Sequence, residues 1–281
     1  MAEETANDSG TKGAPGNNEL IILSVERSGT NFFCECLGAF KDVSRFFEFF
    51  GANVFGLNAN PDMHERLGNI LGMKADDQEN PELVAELKDK PVRSLKVFSR
   101  VSKQIGKKLL TLKIFPGQIR FGALKLLLVG ENKHVVFITR SRIDCYISFQ
   151  KALMTSKWQN SDTTNLKPKI DVNDFLAWAK RTNEWYNRCE KHLKENSVPY
   201  QILSYEADID CPKDQLIEKQ ALILKGFGIE MDPPTMQAKE IFTRQDRTTD
   251  PFDKVENGAE FKAELEKLGR LKFALGKPLM N

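Results

Sequence analysis

Four apolar runs of strand length punctuate the chain, at residues 19–25, 109–115, 134–139 and 199–204, each rich in Ile, Leu or Val and continuous rather than alternating. Continuous apolar runs predict strands buried on both faces, the habit of a parallel sheet covered by helices. Helical signals fall between and after them, at residues 29–40, 80–89, 117–129, 213–225 and 258–270. The clearest helix carries Phe175, Trp178, Thr182, Trp185, Tyr186, Cys189 and Leu193 at three-and-four spacing, one stripe down one face, which predicts core packing rather than a base-stacking platform. Strands alternating with helices predict an α/β fold with a doubly wound, mainly parallel central sheet flanked by helices. Gly51 through Asp77 has scattered Gly, Asn and Asp with weak periodicity and predicts an irregular insertion of the kind that shapes substrate pockets. Residues 1–18 are polar and aperiodic, predicting a disordered tail ahead of a single domain over 19–281.

Composition narrows the classes. Lys and Arg total 41 against 39 Asp and Glu, so there is no global field for nucleic acid or anionic lipid, and any anion site must be local. No apolar run is long enough to cross a bilayer and the N-terminus lacks a basic-then-apolar layout, which predicts a cytoplasmic protein without a transmembrane segment. Cys34, Cys36, Cys145, Cys189 and Cys211 are odd in number with no C-x-x-C pair; reduced, mostly buried thiols are expected. His64, His134 and His192 are far apart, so no metal site is predicted. Oligomeric state is not legible.

The first strand runs into Glu26-Arg27-Ser28-Gly29-Thr30-Asn31 and then a helix. A helix start offers unpaired N–H groups and the positive end of its dipole. Arg27, Ser28, Thr30 and Asn31 add a guanidinium, two hydroxyls and an amide, and Gly29 permits close backbone approach. A nucleotide P-loop would need a lysine that this turn lacks; an ordinary helix N-cap would look the same in four residues. A second strand, His134–Thr139, ends in Arg140-Ser141-Arg142 and a helix, with Ser148 eight positions after Arg140. Neighbouring strand ends line one crevice in an open α/β sheet, so the two turns can hold the two ends of one nucleotide.

Strand-R-S-G-T-helix followed by strand-R-x7-S-helix resembles the sulfotransferases that use 3′-phosphoadenosine 5′-phosphosulfate (PAPS). The resemblance implies that Arg27, Ser28, Gly29, Thr30 and Asn31 bind the 5′-phosphosulfate, and Arg140 and Ser148 the 3′-phosphate. Gln201–Glu206 resembles the family's strand ending in Tyr-Glu, which implies that Tyr205 approaches the nucleoside; Leu222–Ile229 resembles its helix and glycine turn. Arg244-Gln245-Asp246-Arg247-Thr248 and Val255-Glu256-Asn257 look most like the bacterial carbohydrate branch, the nodulation-factor and lipopolysaccharide-type enzymes, with Thr248 where that branch often has proline; Arg244 and Arg247 become candidates for the nucleotide's phosphates. The implied fold is the P-loop-like sulfotransferase fold, and the implied activity is O-sulfation of a carbohydrate or glycolipid hydroxyl, with PAPS as co-substrate and no metal.

Sulfuryl transfer needs a base for the acceptor hydroxyl and cations for charge on the leaving oxygen. Glu48, among Phe46, Phe47, Phe49 and Phe50, is the candidate base, since burial raises a carboxylate's proton affinity; a pair with Arg45 is the structural alternative. Lys113, within an aliphatic strand, is the candidate cation, or else an edge-strand lysine facing water. Glu26 is unexpected beside a polyanion. Lys151, Lys157 and Trp158 read as a solvated helix face with one anchored aromatic. Two other functions fit the same motifs: an ATP-dependent phosphotransferase, and a non-catalytic nucleotide-binding protein whose Glu48 is salt-bridged far from the loop.

Overall fold

The computed structural model describes residues 17–51, 63–72, 81–156, 158, 162–235, 246 and 248–280. Five strands, β1 (Asn18–Leu23), β2 (Val43–Arg45), β3 (Leu109–Ile114), β4 (Lys133–Thr139) and β5 (Tyr200–Ser204), pair in parallel in the order β2-β3-β1-β4-β5. From β1 the chain runs out to the β2 edge, returns through β3, then crosses β1 to reach β4. The carboxyl ends of β3, β1 and β4 therefore meet at the switch of direction, where open α/β sheets hold ligands.

β1, β3 and β4 are buried on both faces, as their composition predicts, whereas β5 lies at the sheet edge with Tyr200, Gln201 and Ile202 only partly buried, so the fourth run is not buried throughout. Ile21, Leu23, Leu112, Ile114, Val135 and Phe137 point into one apolar core, against α4 (Pro91–Gln104), α5 (Phe121–Leu128) and α7 (Val172–Glu195). Leu20, Ile22, Leu109, Val136 and Ile138 point the other way, against α1 (Thr30–Cys36) and α8 (Lys213–Gly226). A third cluster joins α6 (Arg142–Thr155) and α7 to α9 (Gly258–Lys267) and α10 (Leu271–Leu275). The α7 stripe lies in the core: Phe175, Tyr186, Cys189 and Leu193 are buried, and Trp178 and Trp185 pack at its margin.

Three expectations change. The segment 51–77 is not wholly irregular, because Met63–Leu71 forms a helix, α2, with Met63 and Leu67 buried; the rest of it lies largely outside the described residues. Lys113 is not on an edge: β3 lies between β2 and β1, and the lysine is 2% exposed. The first strand described begins at Asn18, one residue earlier than expected, and the Asn18 side chain meets His134 Nε2 at 3.3 Å; residues 1–16 lie outside the described residues. Cys34, Cys36, Cys145 and Cys189 are buried, Cys211 is partly exposed, and all five thiols are free.

Candidate nucleotide and sulfuryl-transfer site

Register assembles the first half of the site. Leu23 of β1 is level with Phe137 of β4, and Thr139 of β4 with Ser204 of β5, so Arg140 and Tyr205, each the next residue, emerge side by side. The Arg140 guanidinium lies over the Tyr205 ring, 4.4 Å from its centroid, and Nη1 donates to Arg27 O at 2.7 Å. Arg27 Nε donates to Ser148 Oγ at 3.0 Å, and Nη1 bonds Trp158 O. Arg27 thus turns its guanidinium toward the second motif rather than over its own loop. Burial lowers the proton affinity of Arg27 and the facing Arg140 lowers it further: two cations gathered in one partly buried place favour an anion between them. Arg140 Nε and the buried Ser141 Oγ have no hydrogen-bond partner among the described residues.

The loop itself is bent by two left-handed residues, Arg27 (φ 69°) and Gly29 (φ 81°), ahead of α1. Glycine at 29 is required twice over, because a β-carbon there would stand 2.5 Å from Tyr205 Cδ2. Tyr205 opens a single π-helical turn, Tyr205–Ile209. Glu206 in that turn accepts from Ser141 N at 2.9 Å and Ser204 Oγ at 2.9 Å and pairs with Lys277 at 3.2 Å. Against the opposing effect of burial, those bonds hold its carboxyl below the usual range, and they tie the ends of β4 and β5 together. Cys145, one turn before Ser148 on α6, donates to Glu26 O at 3.1 Å and meets Ser28 Oγ at 3.6 Å; burial pushes this thiol up to about 11, so it stays protonated and acts as a donor.

The second half comes from β2 and β3. Phe46 N donates to Thr111 O and Lys113 N to Phe47 O, after which the chain turns at Phe47 (φ 43°) and brings Glu48 beside Lys113. Lys113 Nζ pairs with Glu48 Oε2 at 3.2 Å and donates to Asn31 Oδ1. The lysine therefore joins the candidate base to the first helix. Arg45 takes no part, since it pairs with Glu35 at 2.9 Å. Glu48 is not sealed among its phenylalanines either: Phe46, Phe47, Phe49 and Phe50 are buried while its side chain is 29% exposed. Burial raises the proton affinity of the Glu26 carboxyl, and the charge of Glu48 adds to the effect.

No protein-family model and no curated protein matches this chain. Among solved structures it is similar to the "Sulfotransferase Domain from the Synechococcus PCC 7002 Olefin Synthase", over 90% of this chain and 96% of that one, at 12% identity and a TM-score of 0.46. Among the described residues, no helix is long and apolar enough to cross a membrane, and no group of three or more His, Cys, Asp or Glu could hold a metal ion.

Of the residues expected from sequence, Arg27 through Asn31, Arg140, Ser148 and Tyr205 form one connected cluster, and Glu48 and Lys113 join it through Asn31. Arg244, Arg247 and Lys157 lie outside the described residues. Lys151 is not on a solvated face: it is 1% exposed and donates to Asp246 Oδ2 at 2.6 Å and Thr163 O at 3.0 Å. Trp158 is 41% exposed, packs near Phe149 and lends its carbonyl to Arg27. The site residue that sequence reasoning passed over is Gln118, whose Nε2 donates to Glu48 Oε1 at 2.7 Å. The available signal was Pro116-Gly117, a turn dipeptide at the carboxyl end of a buried strand.

Proposed function

We propose that this chain is a PAPS-dependent sulfotransferase that moves a sulfuryl group to a hydroxyl of a carbohydrate or glycolipid. The observation that carries the reading is the meeting of the two sequence motifs: Arg27 on Ser148, Arg140 on the Arg27 carbonyl, and Arg140 over Tyr205. A 3′-phosphate suits that cationic corner, with Arg140, Ser148 and the guanidinium of Arg27 as its donors. Tyr205 offers a ring face to the nucleoside. Ser28 to Asn31 supply backbone and side-chain donors for the 5′-phosphosulfate.

Lys113, fixed between Asn31 and Glu48, supplies positive charge for the bridging oxygen as the S–O bond to phosphate breaks. Glu48 accepts the proton of the acceptor hydroxyl as that oxygen bonds to sulfur. PAPS supplies the activated sulfuryl group; the protein's share is positioning and charge stabilisation, by analogy with phosphoryl transfer. Glu48 is salt-bridged, as a non-catalytic scaffold would have it, yet its partner is also bonded to the loop, which favours catalysis. The missing P-loop lysine weighs against an ATP-dependent phosphotransferase.

The test is transfer of 35S from labelled PAPS to a panel of carbohydrates and glycolipids, with and without a chelator. Transfer by the native chain that survives the chelator and is lost in Glu48→Gln is expected. Transfer of phosphate from ATP, dependent on magnesium, in place of sulfur transfer contradicts the proposal.

A further inference from the structure

Gln118 lies outside the two nucleotide motifs, yet its side chain is held at both ends. After β3 the chain turns through Gly117 (φ 86°), and Gln118 N closes the turn on Phe115 O at 3.3 Å. The side-chain Oε1 accepts from Phe115 N at 2.9 Å, which commits the carbonyl end of the amide to the backbone. The NH2 end is then the one left to face Glu48, and Nε2 donates to Oε1 at 2.7 Å. Glu48 Oε2 faces Lys113 at 3.2 Å. The two oxygens of one carboxylate are therefore distinguished by a neutral amide on one side and an ammonium on the other.

We propose that Gln118 is a positioning residue for sulfuryl transfer: by holding Glu48 Oε1 it sets the plane of the carboxylate and keeps Oε2 on Lys113, the side chain that Asn31 ties to the anion loop. This rests on the sulfotransferase reading. A carboxylate on a three-bond tether samples several rotamers, and a base that wanders by an ångström loses much of its rate. A donor to a carboxylate also favours its charged form, the form a base needs. Among the described residues, the other charged or titratable groups about Glu48 are Lys113 on β3, Glu26 in the first loop and Cys34 on α1, which sense its charge. Lys88 of α3 (Pro81–Asp89) binds Gly51 O, three residues on. None of these replaces the amide at Oε1.

Two variants separate positioning from mere support of the turn. Gln118→Glu keeps an acceptor for Phe115 N and replaces the donor to Glu48 with a second carboxylate oxygen, adding like charge; Gln118→Met keeps the volume and removes both bonds without adding charge. Two readouts are needed in each: the pH titration of the Glu48 carboxyl carbon by 13C NMR, assigned by its loss in Glu48→Gln, and consumption of PAPS across pH with the carbohydrate panel. The expected result in both variants is a Glu48 titration moved to higher pH, an acid limb of turnover that moves with it, and turnover reduced about tenfold to a hundredfold. Affinity for 3′,5′-adenosine bisphosphate should stay within about twofold of native, because the amide touches none of its expected ligands. An unmoved Glu48 titration in the neutral variant Gln118→Met, or turnover within about twofold of native in both variants, overturns the proposal. If the titration moves while even the native chain leaves PAPS intact, the sulfotransferase reading fails and the hold of Gln118 on Glu48 stands.

Discussion

Replacing Gly29 by alanine tests how the anion loop is built, and its cost follows from geometry. Gly29 has φ 81°, and an added β-carbon would stand 2.5 Å from Cδ2 and 2.8 Å from Cε2 of Tyr205, about 1 Å inside ordinary carbon contact. The left-handed backbone costs alanine about 1–2 kcal/mol. Forcing the ring aside adds about 1–3 kcal/mol, and displacing it from beneath Arg140 forfeits about 0.5–1 kcal/mol. The smaller unfolded ensemble returns about 0.4–1 kcal/mol. The net loss is about 2–5 kcal/mol, or roughly 5–15 °C in Tm for a domain of this size. Gly228→Ala is the control: its φ is 73° and nothing lies within 4 Å of the added carbon, so only the backbone difference remains, about 0–1.5 kcal/mol. Calorimetric unfolding of both variants reads the difference, and binding of 3′,5′-adenosine bisphosphate below both transitions reads the displaced Tyr205. Equal losses of stability, or unimpaired binding in Gly29→Ala, would refute the contact between loop and ring.

Lys113→Met should lower turnover about a hundredfold or more with little change in nucleotide affinity, read by steady-state kinetics against calorimetry. Lys151→Met breaks a buried pair and should cost about 3 kcal/mol in denaturant unfolding. Against burial, the Lys151 bond and the Thr248 N–H hold Asp246 below its ordinary 3.8. Its stabilising contribution is therefore full above that value and lost as pH falls through the lower folded one; Asp246→Asn should flatten that acid limb of Tm against pH. Glu26 has the opposite sign: burial raises its proton affinity, so the native state holds the proton more tightly and stability falls as pH rises from the ordinary 4.5 through the folded value. Glu26→Gln should remove that fall and raise Tm above the window, as measured by thermal unfolding across pH.

Much of this arrangement was readable before the fold was known, for a physical reason. β1, β3 and β4 are buried on both faces and so must be continuous apolar runs, β5 shows itself at the edge by Ile202 and Leu203, and the loop after β1 announces itself by stacking polar donors where apolar sequence stops. β2 escaped because Val43–Arg45 is three residues, too short for any period. α4 carries Leu95, Phe98 and Val101 at helical spacing, a signal weakened by the Ser, Arg and Lys between them. What sequence could not supply was the pairing of distant polar groups. Lys151 finds Asp246 across 95 positions, Gln118 finds Glu48 across 70, and Lys113 finds Asn31 across 82. Lys151 read as solvated until the fold brought it Asp246, and nothing local to Glu48 or Lys113 pointed to Gln118 or Asn31 as partners.

The central claim is that one corner, built by Arg27, Arg140 and Ser148, recognises a 3′-phosphate. Isothermal calorimetry of 3′,5′-adenosine bisphosphate against AMP, for the native chain and Arg140→Ala, measures it directly. The account predicts at least about a tenfold preference for the bisphosphate that disappears in the variant, from the loss of charge-assisted bonds to phosphate. Equal affinity for the two nucleotides in the native chain, or a preference unchanged in Arg140→Ala, would contradict it.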